Sequence, residues 1–171
     1  LQILAGDPDY DGPLYAHCGG LAALTTGPRR IDAKVIAKLA RLCGADFFQI
    51  GVFGVTDCHV NSLDASLLKV LASAFRDPWG GLNDTVCVTA GGLGVKNVGL
   101  NVREMEHPEL GCAVALLAGS NLLDHPDGPD AGARAMNQAV DAYRNEGIVD
   151  PAALAEYARA NGQAELSALL E

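Results

Sequence analysis

Two short stretches of small residues offer the plainest chemistry in this chain. Ala90-Gly91-Gly92 follows the β-branched run Thr85-Val86-Cys87-Val88-Thr89, and Gly119-Ser120 follows the apolar run 112–117. Without bulky side chains such loops can aim backbone N–H groups at an anion near a helix start, which suits phosphate and needs little basic charge. A tight turn explains either loop taken alone. Two of them after consecutive strands favour one shared phosphate, because neighbouring strands of a β/α barrel commonly build such a site together.

Other chemistry-bearing residues are sparser. His17 ends the short apolar run 14–16 beside Cys18-Gly19-Gly20 and could contact a metal-bound oxygen or shuttle a proton; a structural hydrogen bond is the plainer alternative. Asp57-Cys58-His59 would make a nucleophile or metal site only if a turn gathered three successive side chains. His125 with Asp124 and Asp127 reads as turn and cap chemistry. Lys96 could neutralise a phosphate or stay solvated, and Arg29 and Arg30 read as surface charges.

The elements that must position these residues alternate between strands and helices. Ile31, Val35, Leu39 and Leu42 recur at helical spacing, with Lys34, Lys38 and Arg41 on the other face, and Gly44 stops the helix. Residues 47–53 read as a second buried strand. Ser62 or Asp64 can cap a helix through Phe75, with Leu67, Leu68, Leu71 and Ala74 facing inward. The strand 85–89 leads to a helical stretch over roughly 98–105, and 112–117 forms a fourth strand. A polar turn at 124–130 starts a long helix carrying Ala135, Met136, Ala139, Val140 and Tyr143 on one side, closed by Gly147. Asp150-Pro151 starts a further helix, and Asn161-Gly162 breaks it before Leu166, Leu169 and Leu170. Four strands alternating with helices imply a parallel sheet with right-handed crossovers, whose ligand lies at the strand C-termini. The expected class is α/β, with the β/α units in 1–149 and a C-terminal helical extension in 150–171.

Composition narrows the partners. The chain has 171 residues, 49% hydrophobic and 5% aromatic, so its core is made mainly of Ala, Leu and Val. A complete barrel typically runs to about 250 residues, and the chain begins at Leu1, so it reads as a piece of a longer polypeptide. The formal charge of −9 opposes nucleic acid and anionic lipid. Five scattered cysteines, Cys18, Cys43, Cys58, Cys87 and Cys112, contain no C-x-x-C pair and point away from a disulfide framework toward a cytoplasmic setting. No apolar run reaches the roughly 18 residues that read as a membrane span.

Taken in order, these segments resemble the large-subunit superfamily of RuBisCO, specifically its RuBisCO-like members. The resemblance is carried by Ala16-His17-Cys18-Gly19-Gly20, by residues 36–46, by Thr89-Ala90-Gly91-Gly92, by Ala118-Gly119-Ser120-Asn121-Leu122-Leu123-Asp124-His125-Pro126-Asp127-Gly128, and by Tyr143-Arg144-Asn145-Glu146-Gly147. They correspond to the fifth through eighth barrel strands and the helix after them, so the resemblance implies a partial (β/α)8 barrel of about four C-terminal β/α units in 1–149. The resemblance implies that His17 sits near the metal and the enediolate oxygens, and that Gly91, Gly92, Gly119 and Ser120 bind a substrate phosphate. Cys18 stands where true RuBisCO has an arginine for its second phosphate, and Gln49 where it has a histidine. The loop 51–56 lacks the lysine that polarises carbon dioxide. A substrate with one phosphate is therefore implied, and ribulose-bisphosphate carboxylation is not.

The family's magnesium ligands belong to the second barrel strand, so the resemblance implies Mg with ligands in a missing N-terminal part and none in this sequence. It further implies a homodimer and a lyase or isomerase working through an enediolate on a phosphorylated sugar or sugar acid, by decarboxylation, transcarboxylation, enolisation or isomerisation. The fragment alone is expected to be inactive. The competing expectation is a non-catalytic half-barrel that binds a phosphometabolite or serves in assembly.

Overall fold

The computed structural model describes residues 6–17, 21–25, 28, 30–55, 61–77, 85–107 and 113–171. Cys18-Gly19-Gly20, Arg29, Asp57-Cys58-His59 and Cys112 lie outside them. Four strands, β1 (Tyr15–Ala16), β2 (Phe47–Gln49), β3 (Val86–Thr89) and β4 (Val114–Leu116), form one sheet in sequence order. All three pairings are parallel. Helices separate the strands: α1 (Leu21–Thr25) and α2 (Ala33–Leu42) before β2, α3 (Ala65–Arg76) before β3, and α4 (Val98–Met105) before β4. After β4 come the short α5 (Ser120–Leu123), the long α6 (Pro129–Glu146), α7 (Pro151–Ala160) and α8 (Ala164–Leu170). This is a run of four neighbouring β/α units of a barrel. Among the described residues, no helix is long and apolar enough to cross a membrane.

Strand register sorts the side chains onto two faces. Ala16, Phe48, Cys87 and Val114 align across the sheet, and the first three are buried in the core that α2 and α3 cover, with Val114 packed against it. Phe48 and Phe75 meet there with ring centroids 5.4 Å apart. The opposite face aligns Tyr15, Phe47 and Val86. It is only partly covered, with Tyr15 40% exposed. In a closed barrel that face points to the interior. A second core joins Leu93, Val98 and Val102 to Ala135, Ala139 and Ala142 of α6 and to Leu154, Ala158 and Leu166 of α7 and α8.

Helix caps follow the sequence. Asp64 accepts from the N–H of Leu67 and Asp150 from that of Ala153, each satisfying a donor that the first turn leaves over. Gly147 ends α6 at φ 70°, in the left-handed region where glycine carries no steric cost.

Helix α2 is turned opposite to the expected face. Ile31, Val35, Leu39 and Leu42 are 44–54% exposed, while Ala33, Ile36, Ala37 and Ala40 are buried. Both sets repeat at helical spacing, but the alanine-rich set lets α2 approach α3 and the sheet closely. Arg41, expected at the surface, is 3% exposed because its guanidinium donates to the carbonyl oxygens of Ala74 and Asp77 at 2.9 and 2.7 Å, closing the C-terminal turn of α3. The strands are also shorter than the apolar runs, since Gly51 takes φ +101° just beyond β2 and turns the chain away. Helix α1 is an element that the sequence reading did not anticipate.

Candidate functional site

The two glycine loops emerge at the same edge of the sheet. Thr89 pairs with Leu116, so Ala90-Gly91-Gly92 and Gly119-Ser120 leave the C-terminal ends of adjacent parallel strands. Gly91 and Gly92 adopt φ +96° and +113°, conformations that a side chain strongly disfavours. A Cβ at Gly91 would come within 2.5 Å of Asn61 Nδ2, so the loop also needs glycine to admit that amide. Gly119 has open space where a Cβ would stand and precedes α5, whose start carries no side-chain cap. Among the described residues, the N–H groups of Gly91, Gly92, Gly119 and Ser120 make no hydrogen bond.

Asparagines hold these loops. Asn121 Nδ2 donates to the Leu93 carbonyl at 2.9 Å, joining the loop after β4 to the loop after β3. Asn97 accepts from the Gly94 N–H at 2.9 Å and donates to the Gly92 carbonyl at 3.0 Å, folding the β3 loop back on the start of α4. Asn101, fully buried, accepts from the Phe53 N–H at 2.9 Å and donates to the Phe53 and Asn97 carbonyls at 3.0 and 2.8 Å. The Thr89 hydroxyl lies between Asn101 Oδ1 and the Gly51 carbonyl oxygen and donates its one proton there. The loop after β2 is thereby fixed to the end of β3.

On the partly open face, Gln49 links three strand ends. The Tyr15 hydroxyl donates to Gln49 Oε1 at 2.7 Å, and Gln49 Nε2 donates to the Ala90 carbonyl at 3.3 Å. Partial burial pushes the Tyr15 phenol above its ordinary pKa and keeps it a donor. His17 directly follows Ala16, the partner of Phe48, so it stands at the level of Gln49, and it is exposed. The structure thus brings His17, Gly91, Gly92, Gly119 and Ser120 to one edge. Lys96 is exposed just beyond the β3 loop.

The other candidates separate from this edge. His125 is 4% exposed; its Nδ1 accepts from the Asp127 N–H at 3.0 Å, which makes Nε2 the protonated nitrogen, donating to the Glu165 carbonyl at 3.1 Å. It pins the turn before α6 to α8. An open cleft of about 960 Å³ is lined by Ala22, Thr25, Arg30, Asp32, Ser62 and Asp64, among others, in the helix layer. None of the rim glycines lines it. Asp32 and Asp64 are engaged in capping α2 and α3. The amide donors that make no hydrogen bond among the described residues lie instead at the strand edge. Among the described residues, no group of three or more His, Cys, Asp or Glu could hold a metal ion.

Sequence reasoning missed Asn61, Asn97, Asn101, Asn121 and Tyr15. Two of these asparagines, Asn97 and Asn121, lie within a few residues of a glycine loop, and side-chain amides that hydrogen-bond nearby backbone are a known signature of built turns.

Comparison with known proteins agrees with the fold. A family model described as "Ribulose bisphosphate carboxylase large chain, catalytic domain" matches residues 8–171. A ribulose bisphosphate carboxylase-like protein of Archaeoglobus fulgidus is 31% identical over 173 residues, covering 100% of this chain and 37% of that protein. Among solved structures, an octameric ribulose-1,5-bisphosphate carboxylase/oxygenase from Pyrococcus horikoshii is similar with TM-score 0.67 and 29% identity, over 95% of this chain and 35% of that one. A rubisco-like protein (MtnW) from Alicyclobacillus acidocaldarius is similar with TM-score 0.67 and 27% identity, over 98% of this chain and 39% of that one. The chain spans about a third of the length of the curated relatives it matches.

Proposed function

The chain belongs to the family of the ribulose bisphosphate carboxylase large chain, catalytic domain, and from that premise we propose that it supplies the phosphate-binding rim of an enzyme acting through an enediolate on a phosphorylated sugar or sugar acid. The observation that carries this reading is the placing of two loops with unengaged amide donors, Gly91-Gly92 and Gly119-Ser120, at the same end of adjacent strands. Backbone donors fixed before the substrate arrives bind a phosphoryl group without the cost of reorganising them. Asn121 and Asn97 keep the two loops in register. His17, exposed at the same edge, is assigned to proton transfer at the reacting carbons or to a hydrogen bond on an enediolate oxygen.

Gln49 and the lysine-free loop 51–56 favour the RuBisCO-like reactions, decarboxylation, transcarboxylation, enolisation or isomerisation, over carboxylation of a bisphosphate. A neutral amide at position 49 provides no cation for a second phosphate. Magnesium, when bound, supplies charge stabilisation to an enediolate. The described residues offer it no ligand set, so its ligands are assigned to the part of the fold that this chain does not span. Assembly as a homodimer is proposed too. Its support is the exposed apolar stripe Val35, Leu39 and Leu42 of α2 with Ile31 just before the helix, together with a dimeric archaeal RuBisCO among the structural relatives.

Calorimetry with a ketose phosphate and with the same ketose lacking phosphate tests binding by the chain itself. Heat from the phosphorylated compound only is expected; equal or absent heat from both contradicts the reading. Magnesium-dependent exchange of the substrate α-proton for deuterium, in a polypeptide carrying this chain within a complete barrel, tests the chemistry. Binding without exchange would favour the second reading, a half-barrel that holds a phosphometabolite without turning it over.

A further inference from the structure

We propose that Gln49, held by Tyr15, is a positioning residue that sets the direction of the Gly91 N–H. The inference deepens the phosphate reading above and rests on it. Along β3 the carbonyls alternate: Val88 accepts from the Ile50 N–H on the β2 side at 2.9 Å, and Thr89 accepts from the Leu117 N–H on the β4 side at 3.0 Å. The next carbonyl, Ala90, has passed the end of the ladder, and no backbone amide of the described residues holds it. Gln49 Nε2 takes over that function from the β2 side at 3.3 Å. The peptide is trans, as no cis bond occurs among the described residues, and in a trans peptide the C=O and the following N–H point in opposite directions. Fixing the Ala90 carbonyl toward β2 therefore turns the Gly91 N–H toward β4, where Gly119-Ser120 stands.

Tyr15 gives the arrangement its polarity. Its hydroxyl donates to Gln49 Oε1 at 2.7 Å, so the amide oxygen faces β1 and the NH2 group faces β3. With the amide flipped, Gln49 would present an oxygen to the Ala90 oxygen and the hold would be lost. Gly91, at φ +96°, has the freedom to rotate this peptide that a residue with a side chain lacks. The chain Tyr15–Gln49–Ala90 is thus a side-chain continuation of the sheet ladder past the point where the backbone ladder ends. It acts on phosphate through Gly91 without touching it.

The test uses Gln49→Met, which keeps length and loses the donor, and Tyr15→Phe, which removes one oxygen. Without ligand, the residual dipolar coupling of the Gly91 N–H and the carbonyl shift of Ala90 report the peptide plane. Titration with inorganic phosphate, followed at the Gly91, Gly92, Gly119 and Ser120 amides, reports affinity. Gln49→Met is expected to alter the ligand-free Gly91 coupling and weaken phosphate about tenfold, and Tyr15→Phe to do the same at about threefold, as expected for losing the orientation of one hydrogen bond to a charged group. A purely structural role would lower the melting temperature and leave the plane unmoved. Weakened phosphate with an unchanged plane would mean that Gln49 contacts the anion directly, and would overturn the inference. A wild-type rim that ignores phosphate overturns the phosphate reading, and with it the purpose assigned to Gln49. An unchanged plane in Gln49→Met overturns the positioning itself, and the two failures are distinguishable because the plane is read without ligand. If Gln49→Met does not fold, Tyr15→Phe carries the same comparison.

Discussion

Replacing Asn101 by leucine keeps the branching of a fully buried side chain, enlarges it and removes its hydrogen bonds. The Phe53 N–H and C=O, which Asn101 holds at 2.9 and 3.0 Å, then lose that partner in a site where Phe53 is itself 8% exposed. The Asn97 carbonyl keeps the backbone N–H of residue 101 at 3.0 Å, and the Thr89 hydroxyl keeps the Gly51 carbonyl, so neither adds to the loss. Two buried backbone groups left unpaired cost about 1–3 kcal/mol each. The added apolar surface of leucine returns about 1–2 kcal/mol, leaving, at the middle of both ranges, a net destabilisation of about 2–3 kcal/mol. For a domain of this size that lowers Tm by roughly 4–12 °C. Urea unfolding followed by far-UV circular dichroism should show a lower midpoint with an unchanged slope. A change under about 0.5 kcal/mol would refute the idea that this network joins the loop after β2 to the end of β3. Thr89→Val, which leaves both Phe53 bonds in place, should cost about 1 kcal/mol.

Further outcomes follow from the same structure. Ile36→Ala, on the buried face of α2, should cost about 2–4 kcal/mol by chemical denaturation. Gly132→Ala places a Cβ against the Leu122 carbonyl oxygen, so α6 must move from α5; a cost of about 1–3 kcal/mol is expected despite the better helix propensity of alanine. Hydrogen bonds from the Ser66 hydroxyl and the Leu67 N–H hold the Asp64 carboxyl below its usual pKa. Its folded value is depressed, so its contribution is complete above the unfolded value of about 3.9 and is lost as pH falls through the folded value. The difference in stability between wild type and Asp64→Ala should be about 1 kcal/mol at pH 7 and shrink below about pH 4.

The order of strands and helices was legible because each β/α unit carries its own punctuation: Asp64 and Asp150 as caps, Gly44 and Gly147 as stops, and glycine after β3 and β4. The orientation of α2 was not legible. Two stripes of equal period compete there, and the larger side chains of Ile31, Val35, Leu39 and Leu42 outweigh Ala33, Ala37 and Ala40 in any count of hydrophobicity. Only close packing against α3, with Arg41 reaching the end of that helix, decides between them. Strand lengths were overstated for a related reason, since apolar residues such as Ile50 and Val52 continue past the ladder into the buried rim. The glycines of the rim could be found from the sequence, whereas the amides that hold them, Gln49, Asn97 and Asn121, bridge residues from 3 to 41 positions apart. Spacing along the chain carries no trace of the longer bridges.

The central claim is that the amides of Gly91, Gly92, Gly119 and Ser120 converge on one phosphate. An amide-resolved NMR titration of the isotope-labelled chain with a sugar phosphate measures this directly. All four resonances are expected to shift together with a single dissociation constant, and to stay still when the dephosphorylated sugar is added. Shifts confined to one loop, or two loops saturating at different concentrations, would contradict a shared site.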